Sequence, residues 1–371
     1  PLPWPPLHCR EGRHLEPTAR PLDQARRPWL DGIARQHRLA PSPDNALALA
    51  RAEWLCGEYD AALRHFLEAR RGAPSADADL GAVRAASMLG ETGLETELLQ
   101  AALAAHPAHP DLRLHAALAS VPDDFAAAGA WLAALSGHPL GGDFAAALDA
   151  VQSGLPPTSL PAAGDDLEAQ RRTARWESLR WAMAHASTPT VHVGLPSRVL
   201  LRALAMAPAA GLTMECGVYF GRSLRMIAAR TDGPVHGFDS FDGLPEAWSE
   251  REAAGTYSTG GRRPAMPAHV ELHAGWFEDT LPPFFARHDG PIRLLHIDCD
   301  LYSSTRTVLA AARERLVPGS VVVFDDLLGY PGYRDHELRA LEEFTADAGI
   351  GWELVAACLM GREVAIRITG H

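Results

Sequence analysis

The sequence of 371 residues contains no lysine, so all 34 of its basic Lys or Arg side chains are arginines. Aspartate and glutamate outnumber them and leave a formal net charge of -12 at pH 7. Nucleic acids and anionic membranes select for clustered positive charge, and this balance argues against both as main partners. Small molecules or proteins are therefore the expected partners.

Cysteine is also scarce, and long apolar runs are absent. The five cysteines are scattered and odd in number, and no Cys-x-x-Cys pair occurs. This pattern argues against a disulfide framework or a cysteine zinc site and favours reduced thiols in a cytoplasm. No apolar run reaches the ~18 residues of a membrane span, and the start lacks the apolar segment of a secretory signal. We therefore expect a cytoplasmic protein.

The composition changes along the chain and predicts four segments. Residues 1–43 are rich in proline and arginine, which predicts an irregular arm leading into a first helix. Residues 44–152 are rich in alanine and leucine, with apolar residues every three or four positions, and predict an all-α domain without strands. Residues 153–194 predict a linker and a connecting helix, and residues 195–371 form the last predicted domain.

The helical segment contains a repeated pattern. The stretch GEYDAALRHFLEARRGAP has the small and aromatic residues of the second helix of a tetratricopeptide repeat, and a weaker copy, GLETELLQAALAAHP, ends 33 residues later. We therefore expect an all-α domain that resembles tetratricopeptide repeats over two or three copies. An ordinary set of core-forming helix pairs is the alternative. Such a domain is expected to support a homo-oligomer or to present a carrier-bound substrate.

From about residue 195, short β-rich runs alternate with segments of helix length. The runs are LTMECG, VHGF, VELH, IRLLHI and SVVVF. This alternation predicts an α/β fold with a doubly wound, parallel sheet. Because ligands of such sheets bind beyond the carboxyl ends of the strands, we expect the functional residues there.

The first of these strands ends in an acidic and glycine-containing turn, Glu215-Cys216-Gly217, and Gly221 follows before a helix. The Gly-x-Gly-x-x-Gly spacing of a dinucleotide site is absent, which argues against a nicotinamide-dependent oxidoreductase. The pattern acid-x-Gly-x-x-x-Gly resembles the first motif of class I S-adenosylmethionine-dependent methyltransferases. In that motif the acid supports the cationic amino-acid end of the cofactor and the glycine makes room for it.

The second strand ends at an acid, Asp239, which lies 22 residues beyond Gly217. Doubly wound cofactor folds place at about this distance a carboxylate that accepts hydrogen bonds from the ribose hydroxyls. A cap for the following turn is the alternative. The combination of Gly217 with Asp239 favours the ribose role.

From about residue 212 to 368 the chain resembles one family, the macrocin O-methyltransferase-like branch of the class I methyltransferases. The matching blocks are GVYFGRS, HGFDSFDGLPE, GTYSTGG, VELHAGWFEDTLP, HIDCDLYSST, LVPGSVVVFDD and GYPGYRDHE. The resemblance implies a Rossmann-like domain whose mostly parallel sheet ends in an antiparallel hairpin. It also implies S-adenosylmethionine and Mg²⁺ as cofactors and a small-molecule hydroxyl acceptor, on a sugar or another secondary-metabolite scaffold.

The resemblance also implies a set of site residues. The expected cofactor-binding residues are Glu215, Gly217, Tyr219, Gly221, Ser223, Asp239, Ser240, Gly275, Trp276, Phe277 and Asp298. Asp298, Asp325 and Asp326 are the expected ligands of the magnesium ion. Relatives with the HIDCDLYSST form often have glutamate at position 326, where this chain has aspartate.

The acids of HIDCDLYSST suit methyl transfer to a hydroxyl. A hard divalent cation orients the hydroxyl and lowers its pKa, and carboxylates at adjacent strand ends supply its ligands. Asp298, Asp300 and His336 are the candidate catalytic residues. His296 and metal-bound solvent are further candidates for the base, because the lysine base of relatives with catechol acceptors has no counterpart here. The expected acceptor wall consists of Tyr302, Tyr330, Tyr333 and His336.

Two other hypotheses remain open. In the first, Asp298 contacts cofactor or substrate without a metal, and Asp325 and Asp326 cap the helix that follows them. In the second, the methyltransferase fold is catalytically inactive and the helical domain serves as an interaction scaffold. The presence of the complete set of cofactor acids and glycine favours the enzyme.

Overall fold

The protein is described by a computed structural model of residues 22–370, apart from 136, 139, 159–163, 165, 188–189 and 251. Most of the predicted arm, residues 1–21, therefore lies outside the described residues.

The chain forms two compact units, which are interleaved in sequence. The first contains the described residues up to Ala116 together with Tyr219–Met226 and Phe241–Ala265. The second contains Ala117–Val218, Ile227–Ser240 and the described residues from Met266 onward. The four predicted segments follow composition along the chain rather than contacts, so their boundaries stay predictions.

Helices occupy the chain before the first strand. They are α1 (Leu22–Leu39), α2 (Pro43–Leu55), α3 (Tyr59–Gly72), α4 (Ala76–Met88), α5 (Thr92–Ala105), α6 (Pro110–Ala119), α7 (Phe125–Ala133), α8 (Gly141–Ser153) and α9 (Leu167–Ala184). The described residues of this region form no strand, which confirms the predicted helical region. None of the helices in the described chain is long and apolar enough to cross a membrane.

Helix caps and helix starts recur at a constant spacing in this region. Ser42 caps the N-terminus of α2 and Ser75 caps that of α4, because each side chain accepts a backbone hydrogen bond there. The two serines are 33 residues apart. The helices α3, α5 and α7 also begin 33 residues apart. Gly81 of α4 faces the ring of Phe66 in α3, and a Cβ there would lie 2.3 Å from that ring. The small residue thus permits close helix packing, while the assignment to tetratricopeptide repeats stays a prediction.

An eight-stranded sheet lies in the second unit. Its strands are β1 (Val191–Val193), β2 (Leu212–Cys216), β3 (Val235–Asp239), β4 (Val270–Ala274), β5 (Ile292–Ile297), β6 (Val321–Phe324), β7 (Gly351–Cys358) and β8 (Val364–Gly370). They lie in the order β1-β7-β8-β6-β5-β2-β3-β4, and β8 alone among them runs antiparallel to its neighbours. This confirms the predicted α/β fold with a mostly parallel sheet and a C-terminal antiparallel hairpin.

Five helices accompany these strands. They are α10 (Pro196–Met206), α11 (Arg222–Ala228), α12 (Phe277–Phe285), α13 (Tyr302–Ala312) and α14 (Glu337–Ala348). The five β-rich runs of the sequence coincide with β2 to β6. The sequence did not predict β1, which has three residues, too few for a recognisable period, and pairs with the distant β7.

The order in which the strands are added to the sheet reverses between β2 and β5, so the switch point of the sheet lies between these two strands. From β2 the strands β3 and β4 extend to one side, and from β5 the strands β6, β8, β7 and β1 extend to the other. Ligands of doubly wound sheets bind beyond the carboxyl ends of the strands at such a point. Gly217 and Asp298 are the first residues beyond these strands, so the fold places both at the switch point.

Candidate active site

The backbones after β2 and β5 approach each other closely at Gly217. The Asp298 N–H donates a hydrogen bond to the Cys216 carbonyl, and a Cβ on Gly217 would lie 1.8 Å from the Asp298 carbonyl oxygen. Gly217 also has a φ of +95°, which favours glycine. The close approach alone therefore requires glycine here, and the residue by itself does not indicate a cofactor.

Asp239, at the end of β3, faces the turn that follows β2. Its Oδ2 accepts a hydrogen bond from the Val218 N–H at 2.7 Å, and the Gly217 N–H donates to the Phe238 carbonyl at 2.9 Å. The structure thus brings Asp239 beside the glycine turn. The predicted contact of Asp239 with ribose hydroxyls stays a prediction.

The residues after β4 lie next to the end of β3. The Gly275 N–H donates to the Asp239 carbonyl at 3.0 Å, and Trp276 is the N-cap residue of α12. The Trp276 side chain is 36% exposed, while Phe277 and Ser240 are half-buried. Four predicted cofactor neighbours therefore lie beyond two adjacent strands, together with the predicted ribose ligand.

Three predicted cofactor residues, Tyr219, Gly221 and Ser223, belong to the first compact unit. The Tyr219 hydroxyl donates to the Cys56 carbonyl at 3.3 Å, and its ring lies edge-on to Tyr257. Tyr219 also has a φ of 51°, an uncommon value for a residue with a side chain. Its side chain thus packs among residues of the helical unit, and the cofactor role of the three residues stays a prediction.

Three aspartates converge beyond β5 and β6. The side chains of Asp298, Asp325 and Asp326 offer carboxylate oxygens that all lie within 4.8 Å of one another. The Asp325 N–H donates to the Ile297 carbonyl, which holds the two strand ends together. Magnesium prefers oxygen ligands, so three carboxylates gathered in this way match such an ion in chemistry.

Arg362 compensates part of the charge of this group. Its Nη1 donates to Asp326 Oδ1 at 2.8 Å, and both side chains are buried. Its guanidinium group also lies over the ring of Tyr330, 4.9 Å from the centroid. Arg362 comes from the β7–β8 connection and was not predicted, since an arginine in a hairpin turn carries no functional signal. It occupies one oxygen of Asp326 and thereby restricts how this residue can bind a metal.

Glu337 is a second residue that the sequence analysis missed. It is fully buried, and its Oε2 accepts a hydrogen bond from the Asp326 N–H at 3.2 Å, while Oε1 has no hydrogen-bond partner among the described residues. Burial, and then the charges of Asp326, Asp298 and Asp325, raise the pKa of Glu337 well above its ordinary value. Burial and the neighbouring carboxylates thus favour the neutral form of Glu337, while Arg362 and His296 balance part of the charge of Asp326 and Asp325.

A buried histidine connects Glu215 with Asp325. His296 Nδ1 lies 2.7 Å from Glu215 Oε1, and His296 Nε2 lies 3.6 Å from Asp325 Oδ1. Burial opposes protonation, but the contacts with Asp325 and Glu215 outweigh it and raise the pKa of His296 to about 10. At neutral pH His296 is therefore an imidazolium, which has no lone pair to accept a proton. The structure thus disfavours His296 as the base. The predicted contact of Glu215 with the cofactor stays a prediction.

Asp300 and His336, the other predicted catalytic residues, are not members of the three-aspartate group. Asp300 is buried and has a φ of 64°, so its backbone adopts the left-handed conformation. His336 is the N-cap residue of α14, and its ring lies 6.2 Å from that of Tyr330. Their catalytic roles stay predictions.

The predicted acceptor wall contains tyrosines whose hydroxyls already have partners. The Tyr333 hydroxyl donates to Glu177 of α9 at 3.1 Å, and the Tyr302 hydroxyl donates to Glu343 of α14 at 2.5 Å. Tyr330 and Tyr333 are buried. Carboxylates on two helices therefore fix the positions of Tyr333 and Tyr302.

Fold and site together have the arrangement of a class I methyltransferase. The switch point lies between β2 and β5, with an acidic glycine turn after β2, an acid at the end of β3 and acids after β5 and β6. Residues 214–327 match the family model described as a methyltransferase domain. Residues 214–327, in the C-terminal half, thus match a methyltransferase domain, as the sequence motifs predicted.

Several known proteins are similar to this chain. The 8-demethyl-8-(2,3-dimethoxy-alpha-L-rhamnosyl)-tetracenomycin-C 4'-O-methyltransferase of Streptomyces olivaceus is 30% identical over 140 residues, which cover 31% of this chain and 52% of that protein. The chain thus spans about half the length of this curated relative.

Two solved structures are also similar. CalS11, a calicheamicin methyltransferase, has 26% identity and a TM-score of 0.38, with 46% of this chain and 76% of that chain covered. The O-methyltransferase NovP has 24% identity and a TM-score of 0.36, with 47% and 78% covered.

Proposed function

We propose that the protein is an S-adenosylmethionine-dependent O-methyltransferase that methylates a hydroxyl of a sugar or another secondary-metabolite scaffold with the assistance of Mg²⁺. The observation that carries this proposal is the convergence of Asp298, Asp325 and Asp326 at the switch point, beside the acidic glycine turn. The S. olivaceus relative, whose name describes methylation of a rhamnosyl-bearing tetracenomycin, supports this class of acceptor.

The cofactor is assigned to the residues beyond β2, β3 and β4. Asp239 accepts hydrogen bonds from the ribose hydroxyls, while Trp276 and Phe277 border the adenine. The glycine turn allows the cofactor to approach the backbone. The end of β5, where Asp298 begins the next loop, neighbours this region and would face the bound cofactor.

Asp298, Asp325 and Asp326 would hold the magnesium ion, and Arg362 keeps Asp326 in position. When bound, the ion supplies a Lewis acid that lowers the pKa of the acceptor hydroxyl. The new bond forms between the acceptor oxygen and the methyl carbon as the sulfur–carbon bond breaks, so the sulfonium becomes a neutral thioether. The hydroxyl proton passes to a base, for which Asp300 and His336 are the protein candidates.

Binding of S-adenosylmethionine to the full chain, measured by calorimetry with and without Mg²⁺, tests this function. Asp239→Ala should weaken the binding of S-adenosylmethionine by at least about tenfold, because two charge-assisted hydrogen bonds to the ribose disappear. Asp298→Ala should lose methyl transfer, measured as release of S-adenosylhomocysteine, and should weaken cofactor binding less than Asp239→Ala does. Asp289→Ala, an exposed acid beyond α12, is the matched control. Failure of the wild type to bind the cofactor would favour the inactive scaffold.

The predicted helical domain, residues 44–152, is proposed to support a homo-oligomer or to present an acceptor attached to a carrier. The spacing of 33 residues between the starts of the alternate helices α3, α5 and α7 motivates this role. Light scattering on the full chain over a range of concentrations tests the first possibility, and a monomer throughout would contradict it. The second is tested by comparing methyl transfer to free and to carrier-attached acceptors.

A further inference from the structure

A second cluster of metal-ligating side chains lies at one edge of the sheet. His236 is on β3, and Glu271 and His273 are on the edge strand β4. The strand register pairs His236 with Glu271, and His273 lies two residues further along β4. Side chains alternate between the faces of a strand, so all three point to the same face of the sheet.

The separations within this cluster match those around a tetrahedral ion. His236 Nδ1 lies 3.3 Å from His273 Nε2 and 3.7 Å from Glu271 Oε2. Ligands bound at about 2.0–2.1 Å to one tetrahedral zinc ion lie about 3.3 Å apart. The two imidazoles thus already have the required spacing. Glu271 is 64% exposed, so its flexible side chain can move the few tenths of an ångström that remain.

A third imidazole and an aromatic ring enclose the cluster. The ring of His288 lies 5.2 Å from that of His236, and its Nδ1 donates to the Phe284 carbonyl at 3.0 Å. Since a carbonyl can only accept, Nδ1 of His288 carries a proton and donates, which leaves Nε2 as the nitrogen that could face a metal. Such a backbone contact is typical of metal-ligating histidines. Phe284 also packs against His236 and His273 and shields them from water.

Burial dominates the electrostatics of the two clustered imidazoles. Burial, and then the neighbouring His273 and His288, lower the pKa of His236 to about 4, although Glu271 opposes the shift. Burial also lowers the pKa of His273.

We propose that His236, His273 and Glu271 form a structural Zn²⁺ site that links the edge strand β4 to β3, with His288 or solvent as the fourth ligand. Two imidazoles with a carboxylate suit zinc, whereas the all-oxygen group beyond β5 and β6 suits magnesium. The aspartate group lies beyond β5 and β6, and neither of these strands neighbours β3 or β4 in the sheet. The proposed zinc ligands lie within β3 and β4, whereas the proposed cofactor residues stand at or beyond the ends of these strands, so the zinc ion takes no part in the methyl transfer itself.

Calorimetric titration of the chelator-treated full chain with Zn²⁺ in excess Mg²⁺ tests this proposal. Excess Mg²⁺ competes for the aspartate group, while His37, His65 and Glu68 form a further group of possible zinc ligands that the variants leave intact. Glu271→Gln should weaken zinc binding at the β3–β4 edge by about tenfold or more, and His273→Gln should remove one equivalent of bound zinc. The exposed position of Glu271 makes its replacement safe for folding. His269→Gln is the matched control, because His269 precedes β4 and contacts the Ala228 carbonyl instead of the cluster.

A second readout is the visible absorption of Co²⁺, which is strong in a tetrahedral site. We expect this absorption in the wild type and in Asp298→Asn, and its loss in Glu271→Gln. The proposal is overturned by a wild type that does not bind Zn²⁺, or by equal affinities in Glu271→Gln, His273→Gln and His269→Gln. The 3.3 Å contact would then be an ordinary hydrogen bond between two imidazoles.

Discussion

The end of β5 and the β3–β4 edge each contain a buried histidine, and the two histidines have opposite pKa shifts. The pKa of His296 is raised to about 10 because carboxylates on both sides outweigh its burial. The pKa of His236 is lowered to about 4 because burial and two neighbouring imidazoles outweigh one exposed carboxylate. Burial disfavours the charge in both places, so the neighbours decide which form persists.

The same contrast applies to the ligands that each region offers. Beyond β5 and β6, Asp298, Asp325 and Asp326 supply oxygen donors beside the switch point, where substrates of such sheets bind. At the β3–β4 edge, His236 and His273 supply nitrogen donors along the strands themselves. Hard oxygen sites select ions such as Mg²⁺, and imidazole sites select transition ions. One region therefore suits catalysis and the other suits structural support.

The largest expected effect is a difference in methyl transfer between a variant of the aspartate group and a variant of the β3–β4 edge. Asp298→Asn should lower methyl transfer on the order of 10²-fold or more, because the Lewis acid supplies several kcal/mol of stabilisation in the transition state. Glu271→Gln should leave it unchanged. The measurement is the rate of S-adenosylhomocysteine release with a saturating acceptor. Equal losses in the two variants would contradict the separation.

The next largest effect is a difference in stability between variants of the two buried histidines, His296 and His236. His296→Leu leaves Glu215 and Asp325 buried without their cation, so we expect the free energy of unfolding to fall by about 3–5 kcal/mol. His236→Leu in chelator-treated protein removes a neutral side chain and should cost about 1–3 kcal/mol. Denaturant unfolding of both variants at neutral pH measures the difference. A smaller loss of unfolding free energy in His296→Leu than in His236→Leu would show that His296 is not charged in the folded protein.

A third variant tests whether a cation can replace Arg362. Arg362→Met leaves Asp326 buried without its ion pair, which should lower the free energy of unfolding by about 3 kcal/mol without metal. Excess Mg²⁺ should restore part of this loss, whereas Zn²⁺ at the β3–β4 edge should not. Thermal unfolding with each ion provides the measurement. The absence of any difference between the ions would argue against a magnesium site at Asp326.

The smallest effect concerns His192 of β1, which has neither carboxylate nor imidazole as the cause of its shift. Burial alone lowers the pKa of His192 below its ordinary 6.5, and its Nδ1 has no hydrogen-bond partner among the described residues. The unfolded chain therefore takes up a proton first as the pH falls below 6.5, and stability is lost toward the lower folded pKa. His192→Leu should flatten this part of the curve of stability against pH. An unchanged slope would contradict it.

Much of the fold could be predicted because its signals are local. The acids Asp239, Asp298, Asp325 and Asp326 lie directly at strand ends that the apolar runs already mark. The short edge strand β1 has no comparable signal, since its three residues pair with β7 far along the chain. The sequence also named His296 as a possible base, and its carboxylate neighbours make that role unfavourable.

The sequence by itself determined the helical first part, the α/β second part and the strand ends that carry the candidate cofactor and metal residues, because periodicity and strand-end chemistry are properties of short segments. Only the tertiary structure decided which charges meet. Glu215 reaches His296 across 81 residues, and Arg362 reaches Asp326 across 36. The β3–β4 register likewise joins His236 to Glu271. Strand pairing creates these neighbours, and neighbours rather than residue type set protonation and metal preference.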